Sequence, residues 1–373
     1  MKRLALIVGL TISVMLPKWC DATYSGYQYQ RTLTIAHAQV PNSDQTNFPV
    51  LISTNDVTLS TGTGGHLSNS NGYDLIFSTM SDCSYLLNWD TETVNNTGSA
   101  TLNVWVKVPT VKTASDTTLY LCYGNSSITT YQGVSASAWD SNFKGVWHLQ
   151  ETGTGAAGDY KDSTTNGNNS NNTTGEPSKT TGIIASAQSF NGSSSLISVP
   201  STLSGLTSFT ISGWIKQSSS GGLYDSWFCN AGYYGTNQMA RQYGNSWQAY
   251  PTSGNGKISG SGLPDDAWNY IALTYVSGGT NGVIFYINGS AQASVATYTG
   301  AVASHSNDAM GTDGSNYAKA IMEEFRASGS VRSADWIATE YNNQSAPSTF
   351  TTIGTETTSG GGAVSNPFFF GEF

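Results

Sequence analysis

Short runs in which apolar and polar side chains alternate, each closed by turn residues, recur along the whole sequence and constrain its fold more than any other feature. In residues 102–108, Leu102, Val104, Val106 and Val108 fall on one side while Asn103, Trp105 and Lys107 fall on the other. This follows because successive side chains of a strand point to opposite faces of the sheet. The aliphatic side is predicted to be core. The same period runs through residues 31–35, 48–52, 73–77 and 117–123. After a weakly patterned stretch at 134–142 it resumes at 144–149, 187–190, 197–199, 209–216, 270–275 and 283–287. Such a series predicts an all-β chain of antiparallel sheets. Asn288-Gly289 stands where a two-residue hairpin turn needs positive φ.

A chain of 373 residues is too long for one ordinary core and comfortable for two. The break in patterning places the boundary near Asp140, with one β-sandwich over residues 23–138 and a second over 143–355. Residues 152–181, rich in Gly, Asn, Ser and Thr, are predicted to form a long surface loop. Only residues 334–341 carry a helical pattern. Ser333 is a suitable N-cap, Asp335 sits in the first turn, and Ile337 and Tyr341 are four apart. This element is expected to be a short appendage rather than a core helix.

Both ends stand outside the sheet pattern. Residues 1–22 combine Lys2 and Arg3, an apolar run over 4–16 and small residues around a cleavage point, which predicts a cleaved secretory signal. An apolar run that short is well under the ~20 residues a membrane span needs, so the mature chain is not expected to be an integral membrane protein. Residues 356–373 read as a flexible Gly-rich tail with an aromatic end, suited to docking on a partner protein.

Charged residues make up only 10% of the chain, which also contains 20 Tyr and 10 Trp. The formal net charge is −9. Removing residues 1–22 leaves 12 basic against 23 acidic residues, a net charge near −11. Such a balance argues against nucleic acid as a partner. Of the cysteines, Cys83 and Cys122 lie in the first predicted sandwich. They form either a disulfide closing a loop of ~40 residues or a pair of buried thiols.

Five ordered segments of the first half, YQYQRTLTI (27–35), NFPVLI (47–52), GYDLIF (72–77), VWVKVP (104–109) and LYLCYGN (119–125), resemble the bacterial domain of unknown function 2341. That resemblance implies an extracellular β-rich module placed ahead of a lectin-like domain, and no catalytic residue. The second half contains GVWHL (145–149), KDSTTNGN (161–168), AQSFNG (187–192) and FTISGWIK (209–216). It continues with DDAWNYIALTY (265–275), FYING (285–289) and a segment from 321 to 344. This half resembles the concanavalin A-like lectin/glucanase jellyroll of the laminin G type.

Three site readings follow. Tyr224, Trp227, Tyr233, Tyr234, Tyr243, Trp247 and Tyr250 cluster within 27 residues rich in Asn, Gln and Gly. Such a set offers flat apolar plates and amide groups to a glycan or other extracellular polymer, although alternation also sends part of it into the core. The laminin G resemblance implies one calcium ion near Asp162, Asn166 and Glu323. Asp162 and Asn166 equally fit an Asx turn, and Glu323 stands where that family usually has Asp.

No Glu-x-Asp-x-x-Glu string of the glucanase branch occurs. The nearest acidic pair, Asp90 and Glu92, reads as a solvated strand edge, and His148 as a hydrogen-bonded structural histidine. The expectation is therefore a secreted or cell-surface binding protein rather than an enzyme. A polysaccharide-active enzyme and a structural subunit of an extracellular assembly are the alternatives.

Overall fold

In the computed structural model, residues 26–95, 100–171, 175–222, 224–230, 239–241, 245–251 and 256–358 are described. Residues 1–22, read above as a secretory signal, and nearly all of the Gly-rich tail lie outside them. The regular structure of the described chain is almost wholly antiparallel sheet, in two sandwiches, as its alternation predicts.

The first sandwich has a three-stranded sheet ordered Gln45–Asp56, Ala100–Val111, Trp89–Asn95. The facing sheet runs Thr351–Ile353, Tyr29–Ile35, Thr117–Tyr123, Ile76–Ser78. Leu102, Val104, Val106 and Val108 all enter the shared core, as the strand period requires. Cys83 and Cys122 are joined as a disulfide with Cα atoms 6.5 Å apart.

The second sandwich pairs a six-stranded sheet with an eight-stranded one. The larger sheet runs Ser290–Ala296, Val283–Ile287, Trp268–Val276, Ser208–Gln217, Ala320–Ser328, Ser186–Ser189, Ser178–Thr181, and Phe143–Trp147 also pairs with Ala320–Ser328. Phe209, Ile211, Ile215, Phe285 and Phe325 meet Phe228, Met239 and Trp247 of the smaller sheet in one core.

Two expectations need correction. The strand Thr351–Ile353 lies within the span assigned to the second sandwich, yet it pairs with Leu33, Thr34 and Ile35 of the first. Phe350 accompanies it into the first core. The reason is topological: an edge of the first sheet is left open by the N-terminal half and is closed only when the chain returns.

The helix, Ala334–Ser345, is no appendage either. Ser333 caps it by accepting a hydrogen bond from the Trp336 amide at 3.0 Å. One side packs Ile337 and Tyr341 against Trp214, Tyr270 and Tyr286 of the large sheet. The other buries Trp336 in the first core and sends Asn343 to the edge strand of the first sandwich. There the Asn343 side chain accepts from the Leu51 amide at 2.7 Å and donates to the Leu51 carbonyl at 3.0 Å. It thus satisfies backbone groups that no neighbouring strand reaches.

The two sandwiches are also pinned by Arg332, which donates to both oxygens of Asp140 at 2.7 and 2.8 Å. Its guanidinium lies over the rings of Phe143 and Trp336. Burial by itself raises the Asp140 carboxyl, but the Arg332 hydrogen bonds and charge outweigh it and hold the group below its ordinary range. A folded-state value below the unfolded one contributes stability above about pH 4 that is lost as the pH falls further. Asp140→Asn is therefore expected to cost about 1.5–3 kcal/mol at neutral pH. Urea titrations of the two proteins should converge as the pH falls through the lowered folded-state value of Asp140.

Candidate functional site

Two strand bulges position the polar centre of the molecule. In the first sandwich the pairing of Trp89–Asn95 with Ala100–Val111 slips between Thr91 and Thr93, so Glu92 has no partner across the ladder. In the second, Ala320–Ser328 slips against Ser208–Gln217 opposite Gly213, and Glu324 takes a φ of 56°. Met322 and Phe325, three residues apart, then both enter the jellyroll core, while Glu324 and Arg326 are aimed at the first sandwich. A Cβ at position 213 would lie 2.7 Å from the Phe325 ring, so glycine is required there. Bulges commonly re-aim side chains in this way.

At the seam His148, 5% exposed, lies between carboxylates of both sandwiches. Its Nδ1 is 2.5 Å from Glu324 Oε1 and 4.0 Å from Glu92 Oε2, and its Nε2 is 3.1 Å from Asp90 Oδ2. Trp139 Nε1 donates to Asp90 Oδ2 and Trp105 Nε1 to Glu92 Oε2, each at 3.0 Å. Arg326 donates to Glu324 Oε2 at 2.8 Å and to Glu340 Oε1, and Tyr270 donates to Glu340 Oε2 at 2.7 Å. The guanidinium of Arg326 lies 4.2 Å from the Trp105 ring centre.

The titration of these groups follows from their partners. Burial disfavours the His148 cation, but the Glu324 charge and the Asp90 and Glu324 hydrogen bonds overcome it and hold the imidazolium well above its usual range. Burial and then the Glu324 charge push Glu92 well up. Burial would raise Glu324 too, yet the His148 and Arg326 interactions bring it below its ordinary value. Glu323, chiefly through burial, is pushed up to about 7.

Asp90 and Glu92 are therefore not a solvated strand edge. They are 5% and 6% exposed, because the second sandwich covers the face that the polar sequence around them suggested was open. His148 is a structural, hydrogen-bonded residue, and in addition it is the centre of a charged group. The seam is what sequence reasoning missed. The only signal was the run Glu323-Glu324-Phe325-Arg326, three charges inside an otherwise apolar strand.

The aromatic cluster separates. Trp227 and Trp247 are 0% and 1% exposed and form part of the jellyroll core, with Trp247 stacked on Phe285 at 4.4 Å. As open plates for a sugar they are ruled out, because strand alternation turns both indoles inward. Trp227 Nε1 donates to Gln217 Oε1 at 2.8 Å, which satisfies the buried indole. Tyr224 and Tyr250 are half-exposed. Tyr233, Tyr234 and Tyr243 lie outside the described residues.

The calcium ligand set does not fit an ion. Asp162 accepts from the amides of Val146, Thr164 and Asn168 and from the Thr164 hydroxyl. Glu323 accepts from the amides of Ile183, Ile184 and Ala185. The Asn166 side-chain amide donates to the Phe143 carbonyl at 2.9 Å. Oxygens surrounded by N–H and O–H donors present the wrong electrostatics to a cation. Asp162 instead organises its loop, the Asx-type alternative.

An open cleft of about 410 Å³ lies at one end of the large sheet, lined by Ser189, Phe190, Asn191, Lys216, Ser218, Asp266 and Lys319, with Ala320 and Ile321. Lys216 follows Trp214 by two along its strand, so it shares the sheet face that carries the helix. Phe190, 2% exposed, belongs to the core beneath the cleft, and the half-buried Ile321 supplies the apolar surface. The lining thus offers two ammonium groups, hydroxyls, an amide and a carboxylate around Ile321.

The cleft belongs to the part of the chain that comparison with protein families identifies. Residues 191–338 match the concanavalin A-like lectin/glucanases superfamily. Ahead of this concanavalin A-like part, residues 71–143 match the Domain of unknown function (DUF2341). No curated protein matches the chain significantly in sequence.

Among solved structures, the ligand binding domain of botulinum neurotoxin serotype D, in complex with N-acetylneuraminic acid, is 16% identical at a TM-score of 0.42. The match covers 54% of this chain and 51% of that one. The binding domain of Paraclostridial Mosquitocidal Protein 1 is 17% identical at 0.40, covering 54% and 52%. Domain 4 of AbnA, a GH43 extracellular arabinanase from Geobacillus stearothermophilus in complex with arabinotriose, is 19% identical at 0.39, covering 54% and 98%. The match spans about half the length of the first two of these domains, and at these scores the ligands of the neighbours remain theirs alone.

Proposed function

We propose that this is an exported recognition protein that holds a carbohydrate, or a similarly hydroxylated surface polymer, in the cleft of its concanavalin A-like part. The observation that carries the reading is the cleft lining. Lys216, Lys319, Ser189, Ser218 and Asn191 provide hydrogen-bonding groups around the half-buried Ile321. Sugars pair hydroxyl edges with weakly apolar faces, and sites of this composition suit them. The Cys83–Cys122 disulfide favours an oxidising compartment, in line with the secretory features of residues 1–22.

Glycoside hydrolysis needs two carboxylates facing one cleft. Among the described residues Asp266 is the single acidic one lining this cleft, and Asp90 and Glu92 are committed to the seam. Binding is therefore the better-supported reading.

The test is an array of neutral and uronate-bearing glycans, probed with the native protein and with the Lys216→Ala, Lys319→Ala double variant. We expect retention on carboxylate-bearing sugars to fall by about tenfold or more, consistent with the loss of charge-assisted hydrogen bonds, with the melting temperature unchanged. Equal retention by both proteins would remove the cleft as the site. Release of new reducing ends by the native protein would move the assignment to an enzyme.

A further inference from the structure

The seam holds a second arrangement, independent of the cleft. One donor atom from each of Glu92, His148 and Glu324 lies within 4.8 Å of the other two, and all three residues are buried. We propose that these three residues bind one divalent first-row transition ion, of the zinc type, between the two sandwiches.

The outer contacts of each residue support this. Glu92 Oε2 is held by Trp105, Glu324 Oε2 by Arg326, and His148 Nε2 by Asp90, which is in turn held by Trp139. His148 Nδ1 and Glu324 Oε1 thus face each other at the centre of the group, and Glu92 turns Oε2 toward Nδ1 at 4.0 Å while that oxygen also accepts from Trp105. A carboxylate behind the far nitrogen of a histidine is the usual support for a metal-ligating imidazole.

Glu92 supplies the independent observation. Its Oε1 is buried and makes no hydrogen bond, although its residue is only 6% exposed. A buried carboxylate oxygen without a donor is costly unless a cation or proton meets it.

Charge is conserved on binding. Asp90, Glu92, Glu324 and Glu340 bring four carboxyl groups to the seam, against the two cationic side chains His148 and Arg326. The proton on the Glu92 carboxyl and the one that His148 Nδ1 shares with Glu324 Oε1 leave for solvent, and the divalent ion takes the place of their two charges on the neutral imidazole and the carboxylates. One imidazole nitrogen with two carboxylate oxygens is a donor set for zinc or manganese rather than calcium, which takes oxygen ligands.

The experiment uses the full secreted chain, stripped with EDTA and then exposed to zinc chloride alone. One sample is loaded in the native state and a second is refolded with the ion present, to reach a buried site. After gel filtration, elemental mass spectrometry is expected to find about one zinc per chain and calorimetry a raised melting temperature. Glu92→Gln, which preserves shape, and His148→Ala should each reduce retained zinc to background. Asp90→Asn should weaken affinity by about 10–100-fold without abolishing it. If His148→Ala does not fold, Glu92→Gln decides. Absence of zinc from both native samples, or unchanged zinc in Glu92→Gln, would overturn the site. Neither result bears on glycan retention by the cleft.

Discussion

Replacing Arg326 by alanine is expected to lower the free energy of unfolding by about 3–5 kcal/mol, measured by urea denaturation at neutral pH. Arg326 is 1% exposed and bridges Glu324 on its own strand to Glu340 on the helix, with its plane against Trp105 of the first sandwich. Truncation leaves the buried Glu340 without a cation and Glu324 with His148 alone, and that penalty exceeds the Coulomb energy the pairs contributed. Adding Glu324→Gln and Glu340→Gln should restore a large part of the loss, because neutral amides of the same shape need no counter-charge. A cost under about 1 kcal/mol for Arg326→Ala would show the seam to be wet and its charges screened.

The second large effect concerns the end of the chain. A protein ending at Ala346 lacks Phe350, which is fully buried in the first core, and the strand that pairs with Leu33, Thr34 and Ile35. Phe350→Ala alone is expected to cost about 3–5 kcal/mol. The truncation also bares a sheet edge, so the expected result is an aggregating protein without a cooperative melt. A chain ending at Thr358 keeps every contact described here and should melt like the full one. Cooperative unfolding of the Ala346 product near the native melting temperature would show that the return strand is dispensable.

Both effects depend on parts of the molecule that local patterns did not reveal. Asp90-Thr91-Glu92, followed closely by Asn95 and Asn96, has the composition of a solvated edge. What buries it is a sandwich whose nearest covering residue, His148, is 58 positions away. Trp227 and Trp247 stood out as candidate binding plates because Tyr and Asn surround them. Their inward orientation is set by where the six-stranded sheet meets the eight-stranded one.

The order of residues sufficed for everything governed by near neighbours. Alternation at 102–108 and 209–216 dictated strands with one face in a core, and the Ser333 hydroxyl dictated where the helix begins. Such features depend on a period of two, or on an amide three residues away, and both are written directly in the chain. Only the tertiary structure decided that Glu92 and Glu324 converge on His148 and that Thr351–Ile353 closes a sheet begun at Tyr29. Each of these requires a bulge or a return across hundreds of residues. The energy that selects it comes from burying and pairing charges between two sandwiches, and no local pattern in the sequence encodes that.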